Sequence, residues 1–322
     1  MNGNKLPTVT LLLLALAFFV AVPGGMKATP APGASGNSGA EAAEDLQQAI
    51  RRFVQTLSAE KGFESWKNAS WTSYPLGPGL HGWVVILSAG GAPVGYLVIH
   101  ATPDGSYALG EYGSGESPLF GMAALHQSLI RQQLLPPTSD LGAFASNPML
   151  REARIYIDAM HAVWRLEFDG QVHLFAAKTG EQYPVSDVAA VQSGEADGFA
   201  GPAVRAGDRV RATVIGNAFD PYENLLWMID PPLSADMGPS WKESWETSLK
   251  ELLKKSLEEP GRTERTTFVA KLFGGQVTKP LAVRGYQEWE QAEPFIIVED
   301  EGPRYIPLSV ASRLGHFYRQ SS

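Results

Sequence analysis

The chain has no cysteine among its 322 residues. That absence excludes disulfide staples, Cys-ligated zinc, iron–sulfur clusters and thiol nucleophiles together. Positive charge is scarce: 26 Lys and Arg stand against 34 Asp and Glu, a net charge of −8. No basic run exceeds two residues, so a phosphate-binding stripe is missing and nucleic acid is not an expected partner. There is no H-E-x-x-H pair, no G-x-S-x-G elbow and no Walker-type loop, and no cofactor is expected. What is present is apolar and aromatic, 44% and 10% of the residues. Such a chain can bury a core, which excludes wholesale disorder, and its length suits one large or two modest domains.

The N-terminus carries an address. Met1–Lys5 is short and holds one cation, Val9–Val22 is nearly unbroken in apolar residues, and Pro23-Gly24-Gly25 breaks any helix. The apolar run is about 14 residues, short of the roughly 20 that a membrane span needs. This layout reads as a secretory signal. Small residues for cleavage lie near Gly24, Ala28 and Ala31, yet none completes an A-x-A, so an uncleaved anchor stays open beside a cleaved signal. Residues 29–40 are Pro, Gly, Ala, Ser and Asn, a flexible tether. The folded part is therefore expected outside the cytoplasm, secreted or tethered to the outer face of the cytoplasmic membrane. Membrane contact is expected only through the N-terminal segment.

The rest divides into an α+β domain at 41–188, a Gly/Ala/Ser-rich linker at 189–207 and a C-terminal α+β domain at 208–322. Glu41–Ala59 has helical spacing, with Leu46, Ile50, Phe53, Val54 and Leu57 on one face. Trp66–Leu80, rich in Pro and Gly, reads as a loop. Strands follow at Gly82–Ser88, Val94–His100 and Tyr107–Tyr112, separated by turn chemistry. A second helix is expected from Ser117-Pro118 to about Leu134, then strands at Arg154–Asp158, Val163–Phe168 and Val172–Ala176. A helix followed by an antiparallel meander thus occurs twice. Beyond the linker, Arg209–Ile215, Leu225–Ile229, Thr267–Phe273, Phe295–Glu299 and Arg304–Pro307 read as strands. Trp241–Leu257 reads as an amphipathic helix and Ser309–Leu314 as a short final one.

Two stretches carry a resemblance. Gly95-Tyr96-Leu97-Val98-Ile99, then Asp104-Gly105 and Leu109-Gly110-Glu111-Tyr112, resembles the meander of streptopain-type peptidase prodomains. Trp164–Phe168 with Ala176-Ala177-Lys178-Thr179-Gly180-Glu181 is similar to the closing strand and turn of PepSY-type domains, with Ala176 where that pattern has Asp. The resemblance covers at most Glu41–Val185. It implies a small secreted α+β module linked to peptidase propeptides or inhibition, without a catalytic domain of its own.

Gly110, Gly113 and Gly115 follow a strand and precede a helix, a place where backbone N–H groups can cradle an anion. Their spacing is not that of a nucleotide loop, and Glu111 and Glu116 are adjacent like charges. His161, His173 and Asp158 flank a hairpin, where they suit a metal or a general base. Glu167 and Asp169 share a strand face and Asp220 and Glu223 a loop, as glycosidase carboxylates do. Exposed aromatic rings suit sugars or protein partners, although Trp is mostly buried. Trp66, Trp71 and Tyr74 therefore stand as binding candidates, joined by the turn Tyr112, Gly113, Gly115 and Phe120. No catalytic or metal-binding set is assigned. The expectation is a non-enzymatic exported module that contacts a protein in the cell envelope by an edge strand or this aromatic surface. The alternative is a cell-wall-directed hydrolase or a carbohydrate-binding protein.

Overall fold

The computed structural model describes residues 38–77, 81–147, 153–168, 170–186, 203–223, 225–233, 251 and 265–320. The expected signal and nearly all of the tether lie outside the described residues, as do most of the 189–207 linker and, apart from Glu251, the Trp241–Leu257 helix. Leu46, Ile50, Phe53, Val54 and Leu57 form the buried face of helix α1 (Ser38–Leu57), as their spacing requires. Past its first turn, the described chain belongs to one compact unit, Ala42–Ser322.

After a 3-10 turn at Glu64–Asn68, the segment expected to be a loop is instead strand β1 (Ser70–Leu76). Its register with β2 (Gly82–Ala89) runs from Ser70 opposite Ser88 to Leu76 opposite Gly82. Pro75 argued against a strand, but β1 is an edge strand, where a missing N–H is tolerated. β2 turns into β3 (Ala92–Ala101) through Gly90-Gly91, both at positive φ, the geometry of a two-residue hairpin. β4 (Tyr107–Ser114) completes the first meander.

Helix α2 (Met122–Arg131) begins later than expected, because Ser117 and Pro118 belong to the approach rather than to the first turn. A short α3 (Leu141–Ala145) is capped by Asp140, whose carboxylate accepts from the Ala143 N–H at 2.8 Å. Then β5 (Arg154–Tyr156), β6 (Ala162–Phe168) and β7 (Gln171–Ala176) make a separate three-stranded antiparallel sheet.

The C-terminal part supplies β8 (Val204–Arg205), β9 (Val210–Ile215), β10 (Arg265–Leu272), β11 (Val277–Trp289), β12 (Phe295–Glu299) and β13 (Pro303–Pro307), then α4 (Leu308–Leu314) and β14 (Gly315–Gln320). Three of these, β8, β11 and β14, were not expected. Pro280 and Gly285 interrupt the strand signal of β11, and Pro280 fits because β12 joins only from Val283 onward. β14 is short and polar and is held by pairing with β10. Conversely, Leu225–Ile229 is not a strand: Leu225–Met228 forms a 3-10 turn that seats Trp227 against Tyr318.

These strands extend the sheet begun by β1–β4. Among the described residues the large sheet has eleven strands, in the order β1-β2-β3-β4-β13-β12-β11-β10-β14, with β8 beside β4 and β9 beside β11. The halves on either side of residues 189–207 thus share one sheet. They join where Tyr305 pairs with Tyr112 and Arg304 with Gly113. Alternate side chains face opposite layers. Val85, Leu87, Leu97, Ile99 and Ile297 pack under α1, while Val84, Tyr96 and Val98 meet α2 and the small sheet. The small sheet is buried on both sides: Trp164 and Phe175 join the core with α2, and Val163 and Leu174 join a core with Phe268, Ile296 and Ile306. The architecture is α+β.

Candidate functional site

The aromatic candidates do not form one surface. The Trp66 ring is fully buried and its Nε1 donates to the Val94 carbonyl at 3.0 Å. It packs edge-on to Phe63 and Tyr112, and Tyr112 stacks on Tyr305 with ring centroids 4.5 Å apart. Gly95 exists for this ring: a Cβ there would lie 2.5 Å from Trp66. Phe120 is also fully buried, edge-on to Trp164. Gly113 is buried beneath the Tyr96 ring, 2.6 Å from where its Cβ would stand. Of the turn candidates only Gly115 is exposed. Rings with no exposed face offer a partner nothing, so Trp66, Tyr112 and Phe120 are core.

Trp71 and Tyr74 are half-buried on β1. Three positions apart on a strand, they face opposite sides of the sheet. Trp71 lies on the α1 side, its Nε1 donating to Gln47 Oε1 at 2.9 Å. Tyr74 lies on the other side beneath the Arg154 guanidinium, 4.4 Å from the ring centroid. What they share is the strand between them. Among the described residues β1 pairs only with β2, so its outer backbone edge faces away from the sheet.

The strongest electrostatic feature lay outside the candidates: a buried ion cluster between the large and small sheets. Arg304 on β13 and Glu111 on β4 have side chains only 3% and 0% exposed. Arg304 Nη2 donates to both Glu111 oxygens, at 3.1 and 2.9 Å, and to the Ala159 carbonyl of the β5–β6 hairpin. Arg304 Nη1 donates to Asp300 at 3.0 Å, and Lys279 donates to both Asp300 oxygens at 2.8 and 2.9 Å. Lys178, from the turn after β7, donates to the Ser117 carbonyl and lies 5.3 Å from the Tyr96 ring centroid. Burial pushes the Glu111 carboxyl up to about 7 against the pull of Arg304. Burial acts the same way on Asp300, but Lys279 and Arg304 outweigh it and hold that group at about 2. Burial draws the Lys178 ammonium down to about 8, opposed by Asp300. Perturbed acids and cations of this kind serve catalysis where substrate reaches them. Here the carboxylate is sealed, so the cluster acts as a clamp between layers. A charge at an inward strand position, flanked by Leu109 and Tyr112, was its one sequence signal.

Most of the remaining candidates have structural partners. His161 is buried, with Nδ1 3.1 Å from Asp158 and Nε2 accepting from the Phe273 N–H at 3.3 Å. Burial raises the Asp158 carboxyl, but the bonds from His161 outweigh it and set it below its ordinary value. His173 meets Gln182 at 2.9 Å. Glu167 is exposed, and Asp169 lies outside the described residues. Glu223 pairs with Arg265 at 3.1 Å, and Asp220 accepts from the Tyr222 N–H. Among the described residues no three His, Asp or Glu gather as metal ligands, and no helix is long and apolar enough to cross a membrane. No family model, curated protein or solved structure matches the chain.

Proposed function

We propose that the chain is an exported, non-enzymatic module that binds a protein partner in the cell envelope by adding a strand to β1. The observation that carries this reading is the place of β1, at the end of an eleven-stranded sheet with only β2 beside it among the described residues. Such an edge presents main-chain donors and acceptors to an extended segment of another protein. Thr72 is exposed on it, and the half-buried Trp71 and Tyr74 flank it on either side, which gives an added strand apolar contact on both faces. Export rests on the signal-like N-terminus. The resemblance to secreted prodomain and PepSY-type modules supports the same class, as does the reading of α2 with β5–β7 as a second use of the plan of α1 with β2–β4.

The test places charge on the edge without touching the core. Thr72→Lys, with Ser70→Lys beside it, should abolish capture of an envelope protein by the full-length chain in cross-linked pull-downs. The melting midpoint should stay where it is, because both side chains are exposed. Capture that survives the double substitution sinks the edge-strand reading.

A further inference from the structure

Glu111 and Asp300 are two carboxylates of one buried cluster with unequal partners. Asp300 has an ammonium on both oxygens and the Arg304 Nη1 besides. Among the described residues the well-formed hydrogen bonds to Glu111 come from one nitrogen, Arg304 Nη2, which is shared with the Ala159 carbonyl. The Tyr96 hydroxyl approaches Glu111 without a well-formed hydrogen bond and, like Arg304 Nε, is buried with no hydrogen-bond partner among the described residues. The charged and titratable groups around Glu111 are Arg304 from β13, Asp300 from the turn after β12, Lys279 from β11, Lys178 from the turn after β7, Tyr96 from β3 and Tyr156 from β5. A carboxylate taken out of water needs donors for both oxygens, and two carboxyls with unequal donors differ in proton affinity.

We propose that Glu111 is a proton-binding site built into the junction between the large and small sheets, so that acid tightens this junction and alkali loosens it. One proton from solvent enters as the layers close. The neutral carboxyl then donates its O–H to the Tyr96 oxygen, and Arg304 Nη2 serves Ala159 without sharing itself with a second anion. That one proton gives the Tyr96 oxygen a donor and leaves Arg304 one anion fewer to serve.

The sign follows from the direction of the shift. Burial raises the folded-state affinity above that of the open chain, so the contribution is present at acid pH. It is lost as pH rises from about 4.5 to about 7. His100, which burial lowers to about 4, works in the opposite sense as pH falls, so only a difference between two chains is diagnostic.

The experiment compares the full chain with Glu111→Gln, which mimics the protonated group, in denaturant unfolding from about pH 4 to about pH 8. At the acid end the two should coincide. By the alkaline end the wild type should trail by at least roughly tenfold in its folding equilibrium constant. A gap that stays constant across the range overturns the proposal. If the variant does not fold, carbon-13 titration of the Glu111 carboxyl in the wild type decides. A midpoint near 7 supports the proposal, and a midpoint at the ordinary glutamate value overturns it.

Discussion

The seam between β4 and β13 has two faces, and they are built from opposite materials. Under α1 it is aromatic: Tyr112 stacks on Tyr305, with Phe63, Trp66 and Phe295 around them. Toward the small sheet it is ionic: Arg304 spans Glu111, Asp300 and the Ala159 carbonyl. The aromatic face is stabilised by removal of apolar area from water, which is non-directional and indifferent to pH. The ionic face is conditional. Its charges have been desolvated, and they hold the layers only while each keeps its partner. The same two strands therefore combine a permanent contact with a titratable one.

The sharpest way to break this comparison is Arg304→Met. It leaves Glu111 and Asp300 with fewer donors in a dry site, and removing one partner of a buried pair costs about 3–5 kcal/mol. Chemical denaturation should show that loss, and Arg304→Met with Glu111→Leu should recover most of it, because both charges then go. No recovery in the double variant would mean that Arg304 matters for its packing and not for its charge. Next comes Gly95→Ala on the aromatic face. The new Cβ would meet the Trp66 ring and the Gly113 carbonyl, and overpacking of this kind costs about 1–3 kcal/mol. That loss should be the same at mildly acid and mildly alkaline pH, as measured by melting curves. A pH-dependent loss would show the two faces to be coupled. The smallest effect belongs to Arg205→Ala. Its ion pair with Asp104, at 2.9 Å, is exposed on both sides, and solvent and salt screen it. The unfolding midpoint should not move measurably; a clear drop would show that this pair holds β8 against β4.

Strands with clean alternation and turn-forming glycines were legible in the chain itself. β2, β3 and β4 fall within a few residues of expectation, and Gly90-Gly91 marks their hairpin. Proline misled at Pro75, and Pro280 stands inside a strand that was not expected. Whether a missing N–H matters depends on which edge of a strand is paired, and that is settled by neighbours distant in sequence. Trp66, Tyr112 and Phe120 are core rather than surface for a related reason. An indole in a Pro/Gly-rich stretch looks exposed until the helix and sheet that cover it are in place, and Trp66 is covered by both. The acidic candidates do not come together, while Glu111, noted in the sequence only within the prodomain-like meander and as a like charge to Glu116, is the carboxyl that burial raises.

By itself the sequence determined the absence of thiol chemistry, the helical face of α1, the first meander and the α+β class. All of these follow from composition and from the 3.6- and 2-residue periods of side chains along a chain. Only the tertiary structure decided that β13 pairs with β4, that the two halves share one sheet and that, among the described residues, β1 ends it. It alone decided that Glu111 meets Arg304 across 193 positions. Periodicity says which side of a strand is apolar. It carries no record of the distant strand that will lie beside it, and both the open edge and the raised proton affinity of a buried acid depend on that neighbour.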